Sequence, residues 1–161
     1  MDKEDKKVVY TEADAQGLEL IGELWQKLHE HHRKLNKHFP EYYAMMNWEK
    51  RKQELLDKSE NGKIYIDLAW DVDNGKIVGY CVSTISESGV GEIDSIYVEE
   101  KYRRSRIGDS FMKKAIKRLD DQHVLWKMLT VAGGNEEVFA FYKRYGFYPR
   151  FTMLAQVKPD S

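Results

Sequence analysis

Residues 93–111 read IDSIYVEEKYRRSRIGDSF, from Ile93 to Phe111, and they carry an apolar strand through a short polar turn into a basic loop that opens a helix. That order of elements builds an anion site. The first turn of a helix has backbone N–H groups with no intrahelical partner and the positive end of the macrodipole, so a phosphate binds there by geometry alone. Arg103, Arg104 and Arg106 add charge around Ser105, and Gly108 lets a ligand come close to the backbone.

Downstream of the loop, Ile107, Phe111, Ala115 and Leu119 form one row of a helix, with Met112 and Ile116 beside it and Lys113, Lys114, Lys117 and Arg118 outward. Leu125–Ala132 predicts the next strand, and the right-handed crossover rule sets it parallel to the Gly91–Val98 strand. Gly133-Gly134 leads into a helix from Asn135 to Tyr145 ended by Gly146, and Phe151–Val157 reads as the last strand. Upstream, Val8–Tyr10 is a short strand, followed by Thr11 and Asp14 as competing caps. Leu18, Ile21, Leu24, Trp25, Leu28, His32 and Leu35 then mark the apolar face of one long helix from Asp14 to about Lys37, closed by Pro40. The EYYAMMNW stretch reads as a loop or short helical turn, and Glu49–Lys58 as a second helix. Lys63–Trp70 and Lys76–Ile85 are strands joined by Asp73-Asn74-Gly75, a primed-turn hairpin signal.

The chain has 161 residues, which suits one α/β domain spanning residues 1–161. Its 26 basic and 27 acidic residues nearly cancel, which argues against nucleic-acid binding. The single cysteine, Cys81, sits in an apolar strand and precludes an internal disulfide. The N-terminus MDKEDKK is polar and no run reaches membrane-spanning length, so the expectation is a cytoplasmic protein, not membrane-bound, with residues 1–7 as a disordered tail.

Two segments together resemble the hallmarks of the GCN5-related N-acetyltransferase (GNAT) family. Tyr102–Gly108, YRRSRIG, is similar to the acyl-CoA loop, whose pattern is Arg or Gln, two residues, Gly, one residue, then Gly or Ala. Asn135–Phe147, NEEVFAFYKRYGF, resembles the second hallmark, an Asn at a helix start followed by Tyr and then Gly-Phe. One position departs: Arg106 stands where the family pattern has its first glycine.

The resemblance implies a mixed, mostly antiparallel sheet splayed between its fourth and fifth strands, flanked by about four helices. It implies acetyl-CoA as co-substrate, held by Arg103, Arg104, Ser105, Arg106, Ile107, Gly108, Asp109 and Ser110 at the pyrophosphate, by Ile96, Tyr97 and Val98 along the pantetheine arm, and by Asn135. Tyr142 becomes the donor to the departing thiolate and Glu92 the base for the amine, with Asp94 or water as alternatives. Asn135 and Tyr142, seven residues apart, share a helix face with Val138. The acceptor is a small-molecule or peptide amine, and Asp67, Asp71, Glu92 and Asp94 favour a cationic one. Trp25, Phe39, Tyr42, Tyr43 and Met46 are candidates to line its pocket. His29, His31, His32 and His38 lack the spacing of a metal ligand set, so no metal is expected. Two rival readings stand beside this one: a non-catalytic acyl-CoA sensor on the same fold, and a basic-loop RNA binder. Exposed strand edges leave room for a homodimer.

Overall fold

The computed structural model describes residues 7–158, so most of the expected N-terminal tail lies outside the described residues. Lys7 is placed, with its carbonyl accepting from Val72 N–H at 3.0 Å. Five strands, β1 (Val8–Ala13), β2 (Gly62–Asp71), β3 (Lys76–Ser86), β4 (Val90–Val98) and β5 (Trp126–Leu129), lie in that order across one sheet. Pairing is antiparallel throughout except for β4 and β5, which run parallel across the expected helical crossover.

Both faces of the sheet are covered, which explains the long apolar runs of its central strands. On one face, α1 (Gly22–Leu35), α2 (Pro40–Met45) and α3 (Trp48–Glu60) assemble, and Leu18, Ile21, Leu24, Trp25, Trp48 and Leu55 pack on Ile64, Ile66, Leu68, Tyr80 and Val82. The other face carries α4 (Ile107–Asp121), whose row Ile107, Phe111, Ala115 and Leu119 is buried with Met112 against Val78, Cys81, Ile85 and Ile93. Phe111 is fully enclosed, and truncating it to alanine costs about 3–5 kcal/mol.

The long first helix is in fact two pieces. Residues Ala15–Ile21 wind as a 3₁₀ helix capped by Asp14, whose Oδ1 accepts from Gln16 N–H at 2.9 Å, before α1 begins at Gly22. Tight packing accompanies the break: a Cβ on Gly17 would lie 2.4 Å from that of Ala13, and one on Gly22 would lie 2.8 Å from Trp48 Nε1. Thr11, the rival cap, lies inside β1, and Pro40 opens α2 instead of closing α1. In the β2–β3 turn only Gly75 has a positive φ (+66°), and Gly75 N–H closes on Asp71 O at 2.9 Å. The connection is therefore wider than the expected primed turn.

Two C-terminal expectations fail. The strand expected over Leu125–Ala132 shrinks to four residues, because β4 diverges after Ile93 and offers no further ladder partner. Phe151–Val157 forms no strand; its alternation suits pairing, but no ladder partner engages it, and Phe151 and Met153 are 76% and 81% exposed. The Asn135–Tyr145 helix is a 3₁₀ turn, Glu136–Val138, followed by a short α5 (Phe139–Lys143). Gly146 ends it as expected at φ +84°, with Phe147 N–H returning to Tyr142 O at 3.2 Å.

Candidate active site

The sheet opens where β4 carries one residue too many. Val82 stands opposite Ser95 and Ser83 opposite Ile93, so Asp94 is the extra residue of a bulge. Parallel pairing to β5 stops just before it, at Ile93–Leu129. Glu99 N–H donates to Val78 O at 2.8 Å, so Glu99 and, by the alternation of an antiparallel ladder, Tyr97 face β3. Ile96 and Val98 therefore turn their N–H and C=O groups toward the gap left by β5. Arg103 agrees with this: its Nε donates to Val98 O at 2.9 Å while its guanidinium lies 5.6 Å over the Tyr97 ring.

At the far end of this gap the basic loop delivers the chain into α4. The first helical bond outside the end is Ser110 N–H to Arg106 O at 3.0 Å, which leaves the N–H groups of Ile107, Gly108 and Asp109 without main-chain partners among the described residues. Arg103, Arg104, Ser105 and Arg106 are all exposed, and Ser105 Oγ donates to Tyr102 O. Arg106 adopts the left-handed conformation (φ +63°, ψ 17°) at the helix start, and Arg104 also has a positive φ of +69°. The backbone thus follows a path that glycine takes freely, although an arginine occupies it. A Cβ on Gly108 would stand 3.5 Å from the Phe141 ring, an ordinary contact. Phe141 thereby ties the cradle to α5.

Aromatic contacts fix α5 over the N-terminus of α4. Tyr145 donates to Asp109 Oδ1, and Phe141 meets Tyr142 and Tyr145 edge-on at centroid distances of 5.3 Å each. Asp109 also pairs with Lys113 at 2.9 Å, and these donors hold its carboxyl below the usual range. Tyr142 packs partly buried against the α4 side of the core, and its hydroxyl has no hydrogen-bond partner among the described residues. Burial pushes its phenol up to about 12, with the nearby Cys81 thiol acting in the same direction. Cys81 is opposite Ile96 in the ladder, so Tyr142 belongs to the stretch of sheet where the gap begins. Asn135 is 92% buried, and its Oδ1 has no hydrogen-bond partner among the described residues.

The carboxylates sort into separate places. Glu92 Oε2 accepts from Lys58 Nζ at 2.8 Å, and its side chain stays 26% exposed. It borders an open cleft of about 680 Å³ that Asp57, Lys58, Thr84, Glu87 and Val90 also line. Asp94 is on the same side, as expected, but its carboxylate is wholly enclosed. Burial raises its carboxyl, while Lys58 and Thr84 pull the other way. Asp67 and Asp71 do not join this group. Asp67 is buried on the α4 side in a bidentate pair with Arg118 at 2.7 and 2.9 Å, and Asp71 lies at the β2–β3 turn, where it accepts from Asp73 N–H and the Tyr102 hydroxyl.

The sequence singled out neither Lys58 nor Arg51, whose only signal was a basic helix face. Of the proposed pocket aromatics, Trp25 is buried in the core, stacked on His29 at 4.6 Å, and Tyr42 is 58% exposed. His29 Nε2 lies 2.6 Å from Tyr43 O. Among the described residues, no group of three or more His, Cys, Asp or Glu side chains is arranged to hold a metal ion, and no helix is long and apolar enough to cross a membrane.

The sequence model of the acetyltransferase (GNAT) family matches residues 23–147, which includes the bulge, the cradle and Tyr142. The chain belongs to that family. GNAT proteins are acetyltransferases, and the family uses acetyl-CoA as its acyl donor. No curated protein matches the sequence. Among solved structures, an acetyltransferase of the GNAT family from Staphylococcus aureus is similar at a TM-score of 0.67 and 17% identity, over 96% of this chain and 94% of the other. An aminoglycoside acetyltransferase from an uncultured soil metagenomic sample, solved with sisomicin, gives a TM-score of 0.61 at 15% identity, covering 96% and 97%. Glucosamine-6-phosphate N-acetyltransferase from Arabidopsis thaliana gives 0.59 at 14%, covering 94% and 98%. At these identities the likeness is one of fold.

Proposed function

We propose that this GNAT protein transfers an acetyl group from acetyl-CoA to a primary amine by direct attack in a ternary complex. The observation that carries the reading is the run of outward backbone groups at Ile96 and Val98, leading along one open edge to the unpartnered N–H groups of Ile107, Gly108 and Asp109. An amide-bearing pantetheine arm fits that edge as an added strand, and a pyrophosphate fits the cradle. Arg103 would move from Val98 O to a phosphate, with Arg104, Arg106 and the hydroxyls of Ser105 and Ser110 around it. The buried, unpaired Oδ1 of Asn135 would accept an N–H from the ligand, since leaving such an atom unpaired costs about 1–3 kcal/mol.

The chemistry needs one proton removed from the amine and a stabilised thiolate. As the amine nitrogen attacks the thioester carbon, the outward N–H of Ile96 is placed to receive the oxyanion, and the C–S bond then breaks. A phenol held near 12 is a poor acid toward a thiolate near 8.5; full transfer would run uphill by roughly 5 kcal/mol. Tyr142 therefore acts by donating a hydrogen bond to the leaving sulfur, and solvent completes the protonation. Glu92, partly exposed at the cleft, takes the amine proton through water or holds the ammonium before attack. An acyl-enzyme is disfavoured, because the Cys81 thiol is fully enclosed and burial pushes it up, away from thiolate.

Asp57, Glu87 and Glu92 around the cleft favour a cationic acceptor, and the substrates after which two of the structural neighbours are named, an aminoglycoside and an amino sugar phosphate, are small amines. The Lys58–Glu92 pair supports the second reading, a sensor that binds acyl-CoA without turnover. Thiol release from acetyl-CoA across a panel of amines decides between them. Tyr142→Phe should lower kcat by about tenfold or more with little change in KM for acetyl-CoA. Tight coenzyme binding with no amine consumed, and no effect of Tyr142→Phe, would establish the sensor.

A further inference from the structure

The bulge residue is gripped from behind by two elements. Asp94 Oδ1 accepts from Lys58 Nζ, Oδ2 accepts from Thr84 Oγ1 at 2.6 Å, and its main-chain carbonyl accepts from Arg51 Nη2 at 3.3 Å. Arg51 Nη2 also lies 4.0 Å from Oδ1. These donors come from α3 and β3, on the side of the sheet away from α4. The side chain has no exposure, whereas the residue as a whole is only half-buried, so its backbone is what faces outward. A bulge does not require a carboxylate, and enclosing one is costly unless it is paired. Here the cost falls on the one residue where the ladder slips and the gap between β4 and β5 opens.

We propose that Asp94 is a positioning residue for acetyl transfer, its carboxylate pinning the bulge to α3 and β3 and so fixing the gap and the aim of the Ile96 N–H. The carboxylate itself touches no substrate. It acts through the backbone: with the pin in place, the residues after the bulge leave β3 register by one and turn Ile96 and Val98 toward the donor. Without it, β4 is free to relax toward regular pairing, and the oxyanion donor loses its aim. The pyrophosphate cradle, on separate residues at the head of α4, is left as it was. This inference rests on the acetyl-transfer reading above.

Asp94→Asn keeps the shape and removes the charge; Thr84→Val removes one donor at the margin and serves if Asp94→Asn folds poorly. Two readouts separate a pin from a merely structural group. Hydrogen exchange of the Tyr97 and Glu99 amides, which face β3, should quicken about tenfold in the free variant, while those at Ile66 and Leu68 stay unchanged. Its kcat should fall tenfold or more with the dissociation constant for acetyl-CoA within threefold. Thr84→Val should show the same pattern at about threefold. The proposal is overturned if exchange at Tyr97 and Glu99 is unaltered, if kcat stays within twofold, or if acetyl-CoA affinity falls in step with kcat. A wild-type protein that neither binds nor consumes acetyl-CoA overturns the functional reading and this inference with it, and the exchange data then still report whether the carboxylate holds the bulge.

Discussion

Replacing Arg106 separates its backbone from its charge. A non-glycine residue in the left-handed region carries a steric cost of about 1–2 kcal/mol, and Arg106 sits there at φ +63°, ψ 17°. Arg106→Gly removes that cost but adds freedom to the unfolded chain worth about 0.4–1 kcal/mol, so the net gain is about 0–1.6 kcal/mol. For a chain of this length that is an upward shift in melting temperature of up to about 6 °C. Arg106→Ala keeps the steric cost and should melt below Arg106→Gly by about 1 kcal/mol. Inside an ordinary helix the order is the reverse, with alanine ahead of glycine. Both variants lose the guanidinium, so both should bind acetyl-CoA more weakly, by about tenfold if the arginine contacts a phosphate at an exposed site. Thermal unfolding and coenzyme titration of the pair read the two effects separately. An alanine variant more stable than the glycine variant would refute the backbone argument, and undiminished binding in both would remove Arg106 from the cradle.

Other outcomes follow from buried groups. Cys81→Ala should retain turnover within a few-fold, measured as thiol release, because the thiol is enclosed in β3 and the proposed direct attack gives it no part. Burial, with His31 and His29 nearby, lowers His32 from 6.5 to about 4. Its folded value lies below its unfolded value, so the folded state binds fewer protons between those two values. Its contribution to stability is present above pH 6.5 and is lost as pH falls toward 4. His32→Leu should flatten that part of the stability curve in urea titrations, and an unchanged slope would contradict the burial argument. Gly108→Ala should leave the melting temperature unchanged or raise it by a degree or two, because the added Cβ meets Phe141 at 3.5 Å, yet weaken coenzyme binding by filling the cradle.

The run from β2 to β4 was legible because its strands carried their own punctuation: Asn-Gly and Ser-Gly turns between them, and the glycine-bearing loop before α4. The apolar row of α4 was legible residue by residue, since a 3.6-residue period has one reading once Phe111 is placed inward. What failed was whatever depends on distant partners. The break at Gly22 follows from the approach of Trp48, and the loss of strand at Phe151–Val157 from the lack of an edge to pair with, and neither is written locally. In the candidate site, the exposed basic loop before α4 and the place of Tyr142 on a short helix were readable from motif and spacing. The contrast in exposure between Glu92 and Asp94 was not, because the two alternate residues look alike until the bulge and Lys58 show one open and the other enclosed. The pairing of Asp67 with Arg118 across the core was equally hidden, and it removed a carboxylate from the acceptor side.

Acetyl transfer by this chain requires a diphosphate seated at the head of α4 with its pantetheine arm along Ile96 and Val98. Isothermal calorimetry of the folded protein with acetyl-CoA tests this directly. Saturable binding at one site per chain, weakened by Gly108→Ala and competed by free coenzyme A, is the predicted result. An absence of heat and of saturation, with the protein folded by circular dichroism, would contradict it.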